Sequence, residues 1–256
     1  MDNDTNDTFT MEVFEGKIEN EDIANAKETE LNKWKEFTAY EEVDLEDQHV
    51  LTARWVITEK EGGKIKARLC VRGYEKKINP QSDSPTAHKD SLKTFLSVVA
   101  NEGFTLATLD VSSAFLQGYP LDRDVFVKPL REREQKGKIW KLKKSCYGLY
   151  DASRRWFMAV NEILKEFGMK NLSGDDAFFF KIENGKLTGL CILHVDDFLI
   201  GGTQVFLTQI QKKLKGRFSF GKIEFQKFKY TGLNITQDSD GIHIDQIRLD
   251  LSNPFP

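Results

Sequence analysis

The stretch Leu190-Cys-Ile-Leu-His194-Val-Asp196-Asp197-Phe-Leu-Ile-Gly201-Gly202 decides the fold. Two short apolar runs flank one pair of adjacent carboxylates, and a glycine pair closes the segment. Runs of this length, rich in branched residues, read as buried strands. Only Asp196 and Asp197 interrupt them, so the stretch predicts a tight hairpin with both acids at its bend. Hairpin bends favour Asn-Gly or Asp-Gly, where positive backbone angles cost little. Asp-Asp offers no such relief and sets like charges side by side, which a cation or a basic neighbour must offset. One reading is a solvated turn, since Asp is a common turn residue. The other is a platform for divalent metal, because Mg²⁺ takes one or two carboxylates plus substrate phosphates. Two-metal sites hold ions about 3.5–4 Å apart, and two such ions call for another carboxylate from elsewhere in the chain.

That acid is Asp110. Phe104-Thr-Leu-Ala-Thr-Leu-Asp110 alternates as a strand, and Val111 to Gly118 follows as a short helical turn. An Asp at a strand end is by itself an ordinary turn residue. It gains meaning only beside the Asp196-Asp197 hairpin.

Upstream, Glu21 to Tyr40 carries Ile23, Leu31, Trp34 and Phe37 at helical spacing. Thr52–Thr58 and Lys64–Arg72 read as a hairpin joined through Gly62-Gly63. Lys64, Lys66, Arg68 and Arg72 share one parity, so they project from one strand face. Such a face can grip a polyphosphate or a nucleic-acid backbone, or be solvated. Asn79–His88 reads as a polar loop. Asp90–Glu102 reads as an amphipathic helix capped by Asp90 or Ser91. Trp156 to about Gly168 predicts a further helix. Asp175-Asp176 reads as a turn before a strand, and Asn184-Gly185 as a hairpin turn. Phe206–Phe218 reads as a helix, and Phe228–Ile235 and Ile242–Ile244 as a final pair of strands.

The 256-residue chain has 39% hydrophobic residues and 19 Phe, enough for a sizeable core. No apolar run approaches the ~18 residues of a membrane span. An acidic N-terminus without an apolar segment argues against secretion. Cys70, Cys146 and Cys191 are spaced for neither a disulfide framework nor a zinc site. Residues 1–47 hold 16 acids and 4 bases, a net of −12. The rest hold 33 bases and 24 acids, a net of +9, compatible with a polyanionic partner.

Several motifs in register carry a resemblance. They are Arg54-Trp-Val-Ile-Thr-Glu-Lys, Lys66-Ala-Arg-Leu-Cys-Val-Arg-Gly73, Leu109-Asp-Val-Ser-Ser-Ala-Phe-Leu-Gln-Gly118, Tyr147-Gly-Leu, Arg154 with Trp156, His194-Val-Asp-Asp197 and Tyr230-Thr-Gly-Leu-Asn-Ile235. From about Glu12 to Asp250 the chain resembles the reverse transcriptase domain of copia-type long-terminal-repeat retrotransposons. The resemblance implies an α+β fold, the fingers and palm of a right-hand polymerase. It implies an antiparallel palm sheet with helices on one side. Fingers would span about 45–85 and 119–153, and palm about 86–118 and 154–250. An acidic disordered extension would occupy 1–20, and a truncated tail 251–256, with no thumb.

By the same resemblance, Asp110, Asp196 and Asp197 would be catalytic. They would hold two Mg²⁺ ions, or Mn²⁺ in their place, with the Val111 carbonyl as a further metal contact. Lys66, Arg72, Ala114, Phe115 and Gly148 would bind the nucleotide, with the Phe115 ring excluding a 2′-hydroxyl. Arg68, Tyr147, Tyr230 and Gly232 would touch nucleic acid. Implied partners are an RNA template, a DNA primer, dNTPs and the rest of a Pol polyprotein (protease, integrase, ribonuclease H), with no membrane. Cytoplasmic particles would be the setting. Two departures stand out. His194 occupies a position commonly held by Tyr, and Tyr150-Asp151 replaces a frequent Lys-Gln. The implied activity is RNA-directed DNA polymerisation. A truncated remnant that only binds nucleic acid, and a DNA-templated palm polymerase, remain alternatives.

Overall fold

The computed structural model describes residues 20–59, 62–75, 84–133 and 135–246. The acidic extension before Asn20, the tail at 251–256 and the first half of the loop expected at Asn79–His88 lie outside the described residues. In chain order the elements are α1 (Asn20–Glu36), β1 (Tyr40–Asp44), β2 (Val50–Leu51), β3 (Ala53–Glu59), β4 (Ile65–Val71), α2 (Lys89–Asn101), β5 (Thr105–Val111), α3 (Ala114–Gln117), β6 (Phe126–Val127) and β7 (Lys138–Leu142). There follow α4 (Ala152–Glu166), β8 (Lys170–Leu172), β9 (Asp175–Glu183), β10 (Lys186–His194), β11 (Asp197–Gly202), α5 (Gln204–Lys215), β12 (Phe220–Phe225), β13 (Lys227–Tyr230), β14 (Leu233–Gln237) and β15 (Ile242–Gln246). They form two compact units. The first draws on residues 1–83 and 115–156, the second on 84–114 and 157–256.

The first unit holds a two-stranded antiparallel ribbon, β3–β4, and a small sheet in the order β1-β7-β6-β2. In β4 the expected alternation is present. Ala67, Leu69 and Val71 are buried, while Lys66, Arg68 and Cys70 are half-buried on the other face. The core of this unit centres on Leu31, Trp34, Leu69, Val127, Trp140 and Leu142. Trp34 and Trp140 are each only 1% exposed, and the ring centroid of Tyr40 lies 4.2 Å from that of Trp140.

The second unit is built on a six-stranded antiparallel sheet in the order β12-β5-β11-β10-β9-β8. A three-stranded sheet, β13-β14-β15, accompanies it. The consecutive residues Gly201 and Gly202 of β11 reveal how helices cover the large sheet. A Cβ on Gly201 would lie 2.4 Å from Val99 Cγ2 of α2. A Cβ on Gly202 would lie 2.4 Å from Phe206 Cδ1 of α5. Successive strand residues point to opposite faces, so α2 and α5 cover opposite faces. This corrects the expectation of helices on one side.

The α2 face carries Leu106, Leu190, Ile192 and Leu199, with Phe95 and Val99 from the helix and Phe228 and Tyr230 from β13. On the other face α5 buries Phe206, Leu207, Ile210 and Leu214. Phe167, just beyond α4, comes within 5.8 Å of Phe206, and Glu166 pairs with Lys213 at 2.8 Å.

Local differences from the sequence reading have simple causes. The N-cap of α2 is His88, with no side-chain cap of its own. Asp175 supplies the acceptor instead, taking the His88 N–H at 3.0 Å and the Ser91 hydroxyl. Asp175 and Asp176 begin β9 rather than forming a turn, and the bend falls at Ser173-Gly174, where Gly174 has φ +89°. Strands β8 and β12 had no expectation. The final pair of strands is a set of three. None of the described helices is long and apolar enough to cross a membrane.

Candidate active site

Strand β11 lies between β10 and β5. Its register places His194 of β10 and Asp110 of β5 on either side of Asp197, each directly opposite it. Directly opposed residues share a face, with Cβ atoms about 4.5–5.5 Å apart. One rung of the sheet therefore runs His194, Asp197, Asp110. Asp110 is exposed and Asp197 half-buried.

The bend itself is Val195-Asp196, one residue earlier than the reading from sequence, because His194 and Asp197 close the ladder. Val195 takes φ +56°, a left-handed conformation that costs a β-branched residue about 1–3 kcal/mol. Only the first central residue is left-handed, the φ pattern of a II′ turn. The Val111 amide donates to the Asp196 carbonyl at 3.3 Å, tying the bend to the end of β5.

These donors suit a hard divalent cation in kind and register. Asp110 and Asp197 offer carboxylates on one face, with Asp196 at the adjoining bend. Among the described residues, no three acidic, His or Cys side chains are gathered around one point. The rung spreads them across the strands instead, and like charges directly opposite repel.

Beyond Asp110 lies β12. It pairs Phe220 with Val111 and Ile223 with Leu109, so a bulge sets Gly221 and Lys222 against Asp110. Gly221 was not singled out from sequence. A lone glycine in a strand pattern is a signal of a bulge or close approach.

A second group of expected residues meets within the first unit. The Phe115 and Tyr147 rings make an edge contact with centroids 4.8 Å apart. The Arg68 guanidinium lies 5.5 Å from the Tyr147 ring centre. Arg68 Nε is buried without a hydrogen-bond partner among the described residues. The Val71 amide donates to the Tyr147 carbonyl at 2.8 Å. Gly148 has φ +89°, and a Cβ there would fall 1.9 Å from the Val71 carbonyl oxygen. Only glycine lets this loop lie on β4. Arg72 reaches the Thr52 hydroxyl at 3.4 Å, and Lys66 sits opposite Thr58 on the ribbon.

Two residues, Ala114 and Tyr230, behave differently from the expectation, and Gly232 does not. Ala114 is 1% exposed at the start of α3, so its side chain is not presented. Tyr230 is 3% exposed in the core, so its ring offers no face to nucleic acid. Its hydroxyl has no partner among the described residues, and burial pushes its pKa well up. Gly232 is exposed, and its Thr231-Gly232 turn has φ +45° and +80°. That is the I′ pattern a two-residue hairpin requires.

Missed entirely was the clasp around Asp151. Arg123 donates to both its oxygens, through Nη2 at 2.9 Å and through Nη1. Arg155 Nε donates at 2.7 Å, and Arg155 also reaches the Pro120 carbonyl at 2.7 Å and Asp122. The residue that departs from the familiar Lys-Gln thus carries its own cationic partners.

A rung of carboxylates thus lies beside a strained hairpin bend. A profile of the reverse transcriptase (RNA-dependent DNA polymerase) family matches residues 37–250. The chain belongs to that family, in its copia-type retrotransposon branch. It is 31% identical over 213 residues to the retrovirus-related Pol polyprotein from transposon TNT 1-94 of Nicotiana tabacum, covering 78% of this chain and 16% of that protein. It is 28% identical over 244 residues to the corresponding polyprotein of transposon RE1 from Arabidopsis thaliana, covering 90% and 16%. The chain thus spans 16% of the length of these relatives. Among solved structures, the foamy viral protease-reverse transcriptase in complex with double-stranded DNA shares the fold. Its TM-score is 0.53 at 14% identity, covering 83% of this chain and 34% of that one.

Proposed function

We infer that the chain is an RNA-directed DNA polymerase domain that extends a DNA primer on an RNA template. The observation that carries this reading is the placement of Asp110 directly across from Asp197, next to the Val195-Asp196 bend. The first unit then corresponds to fingers (about 45–85 and 119–153) and the second to palm (about 86–118 and 154–250).

Asp110, Asp196 and Asp197 would hold the divalent ions through carboxylate oxygens, with the Val111 carbonyl as a further donor. The chemistry that magnesium, or manganese in its place, would supply when bound is acidification of the primer 3′-hydroxyl and offset of charge on the departing pyrophosphate. Lys66 and Arg72 neutralise the nucleotide triphosphate, where charge-assisted hydrogen bonds are strongest. Gly148 keeps the loop low on β4, and Phe115, braced by Tyr147, stands where a ribose 2′-hydroxyl would collide. Arg68 and Tyr147 face the nucleic acid, and Gly232 meets it at a hairpin tip. The natural setting is a longer Pol polyprotein, with protease, integrase and ribonuclease H, in cytoplasmic particles.

Primer extension on a homopolymer RNA template with Mg²⁺ or Mn²⁺ tests the reading. Incorporation that disappears in Asp197→Asn, with RNA binding retained, supports it. RNA binding that weakens with salt but gives no incorporation in the wild type identifies a binding remnant instead.

A further inference from the structure

We propose that Gly221 is a positioning residue for Asp110, providing the recess in which its carboxylate rests when no metal is bound. This rests on the metal-binding reading above. Asp110 lies between two neighbours, Asp197 on β11 and the bulge of β12. A Cβ built on Gly221 would lie 2.9 Å from Asp110 Oδ2 and 3.2 Å from Ser112 Oγ. The carboxylate therefore leans over the β12 side, into space that only glycine leaves open. Gly221 has no left-handed φ, so the requirement here is for room and not for backbone freedom.

The lean has an electrostatic reason. Asp197 sits directly opposite Asp110 on the same face, and two carboxylates so placed repel. Resting over Gly221 takes the Asp110 charge away from its neighbour. Metal binding draws the carboxylates together, so Asp110 must leave the recess first. A resting rotamer that holds about 80–90% of the metal-free population weakens apparent affinity roughly five- to tenfold.

Gly221→Ala fills the recess and presses the carboxylate back toward β11. Mn²⁺ titration, followed by calorimetry or by electron paramagnetic resonance, reads the consequence without any turnover. The expected result is Mn²⁺ binding about five- to tenfold tighter in Gly221→Ala than in the wild type. The metal-free variant melts lower, and that loss disappears when Asp110→Ala removes the crowded side chain. Equal or weaker Mn²⁺ affinity in Gly221→Ala overturns the proposal. So does a melting loss that persists, or a failure to fold, in the Asp110→Ala background, since either places the cost in the backbone of the bulge. Wild-type Mn²⁺ binding that is unchanged by Asp110→Asn overturns the metal reading itself, and the proposal with it. Binding that depends on Asp110 but ignores Gly221 overturns only the proposal.

Discussion

Asp151→Asn tests how the polar clasp in the first unit is held. The Asp151 side chain is 8% exposed, and those of Arg155 and Arg123 are 14% and 23% exposed. The substitution keeps the shape but removes the charge that three guanidinium donors address. Breaking a buried pair from one side costs about 3–5 kcal/mol, because the remaining charges are left uncompensated. Arg155 keeps Asp122 and the Pro120 carbonyl, which lowers the expected loss to about 2–4 kcal/mol. For a chain of this size a loss of about 3 kcal/mol is roughly 6–12 °C in melting temperature. The pH dependence has a definite sign. Burial raises the Asp151 carboxyl, but hydrogen bonds from Arg123 and Arg155, and then their charges, outweigh it and hold the group below its usual range. A depressed folded pKa gives stability that is fully present above the unfolded value of about 3.9 and is lost as pH falls through the folded one. Urea unfolding followed by circular dichroism between pH 3 and 7 reads both effects. The wild-type advantage over Asp151→Asn stays level above about pH 5 and shrinks below about pH 4. A loss under about 1 kcal/mol at pH 7, the value of an exposed ion pair, refutes the reasoning. An advantage that grows on acidification refutes it equally.

Two aromatic side chains give separate tests. Phe115→Val removes the ring that packs edge-on to Tyr147 and relaxes exclusion of ribonucleotides, read as rNTP against dNTP incorporation; unchanged sugar selectivity contradicts the assignment. Tyr230→Phe deletes a buried hydroxyl that has no partner among the described residues, so stability stays level or rises by up to about 1 kcal/mol in chemical denaturation. A loss above about 1 kcal/mol would show a hydrogen bond at that hydroxyl.

The β10–β11 hairpin was legible because its strands are buried on both faces and so read as near-continuous apolar runs. Lys66 and Arg68 were legible as one face because strand parity leaves no choice, whereas Lys64 and Arg72 fall outside β4. The exact bend was not. A hairpin with Asp196-Asp197 at its tip and one with Val195-Asp196 differ by one residue, and Val at positive φ runs against turn preference. The glycine pair Gly201-Gly202 read as a terminator, yet both residues lie inside β11, one making room for Val99 and the other for Phe206. That is why the two-sided helix cover was missed. Tyr230 looked like a contact residue because its motif is shared with the family, but alternation in β13 turns Phe228 and Tyr230 inward together. Asp151 and Arg155 stand at the i, i+4 spacing of a helical ion pair, but nothing local announces Arg123 as the other partner of Asp151 or Ser91 as the partner of Asp175, which lie 28 and 84 residues away. Gly221 gave only the weak signal of a glycine between strand residues.

The most direct test of the account is the rate of primer extension in Asp110→Asn, Asp197→Asn and the double variant, measured with RNA binding in parallel. Residues that act as one unit lose activity non-additively. Each single substitution is therefore expected to abolish extension about as completely as the pair, with RNA affinity retained. Losses that simply multiply, or a single variant that extends at the wild-type rate, would contradict a shared role for the two carboxylates.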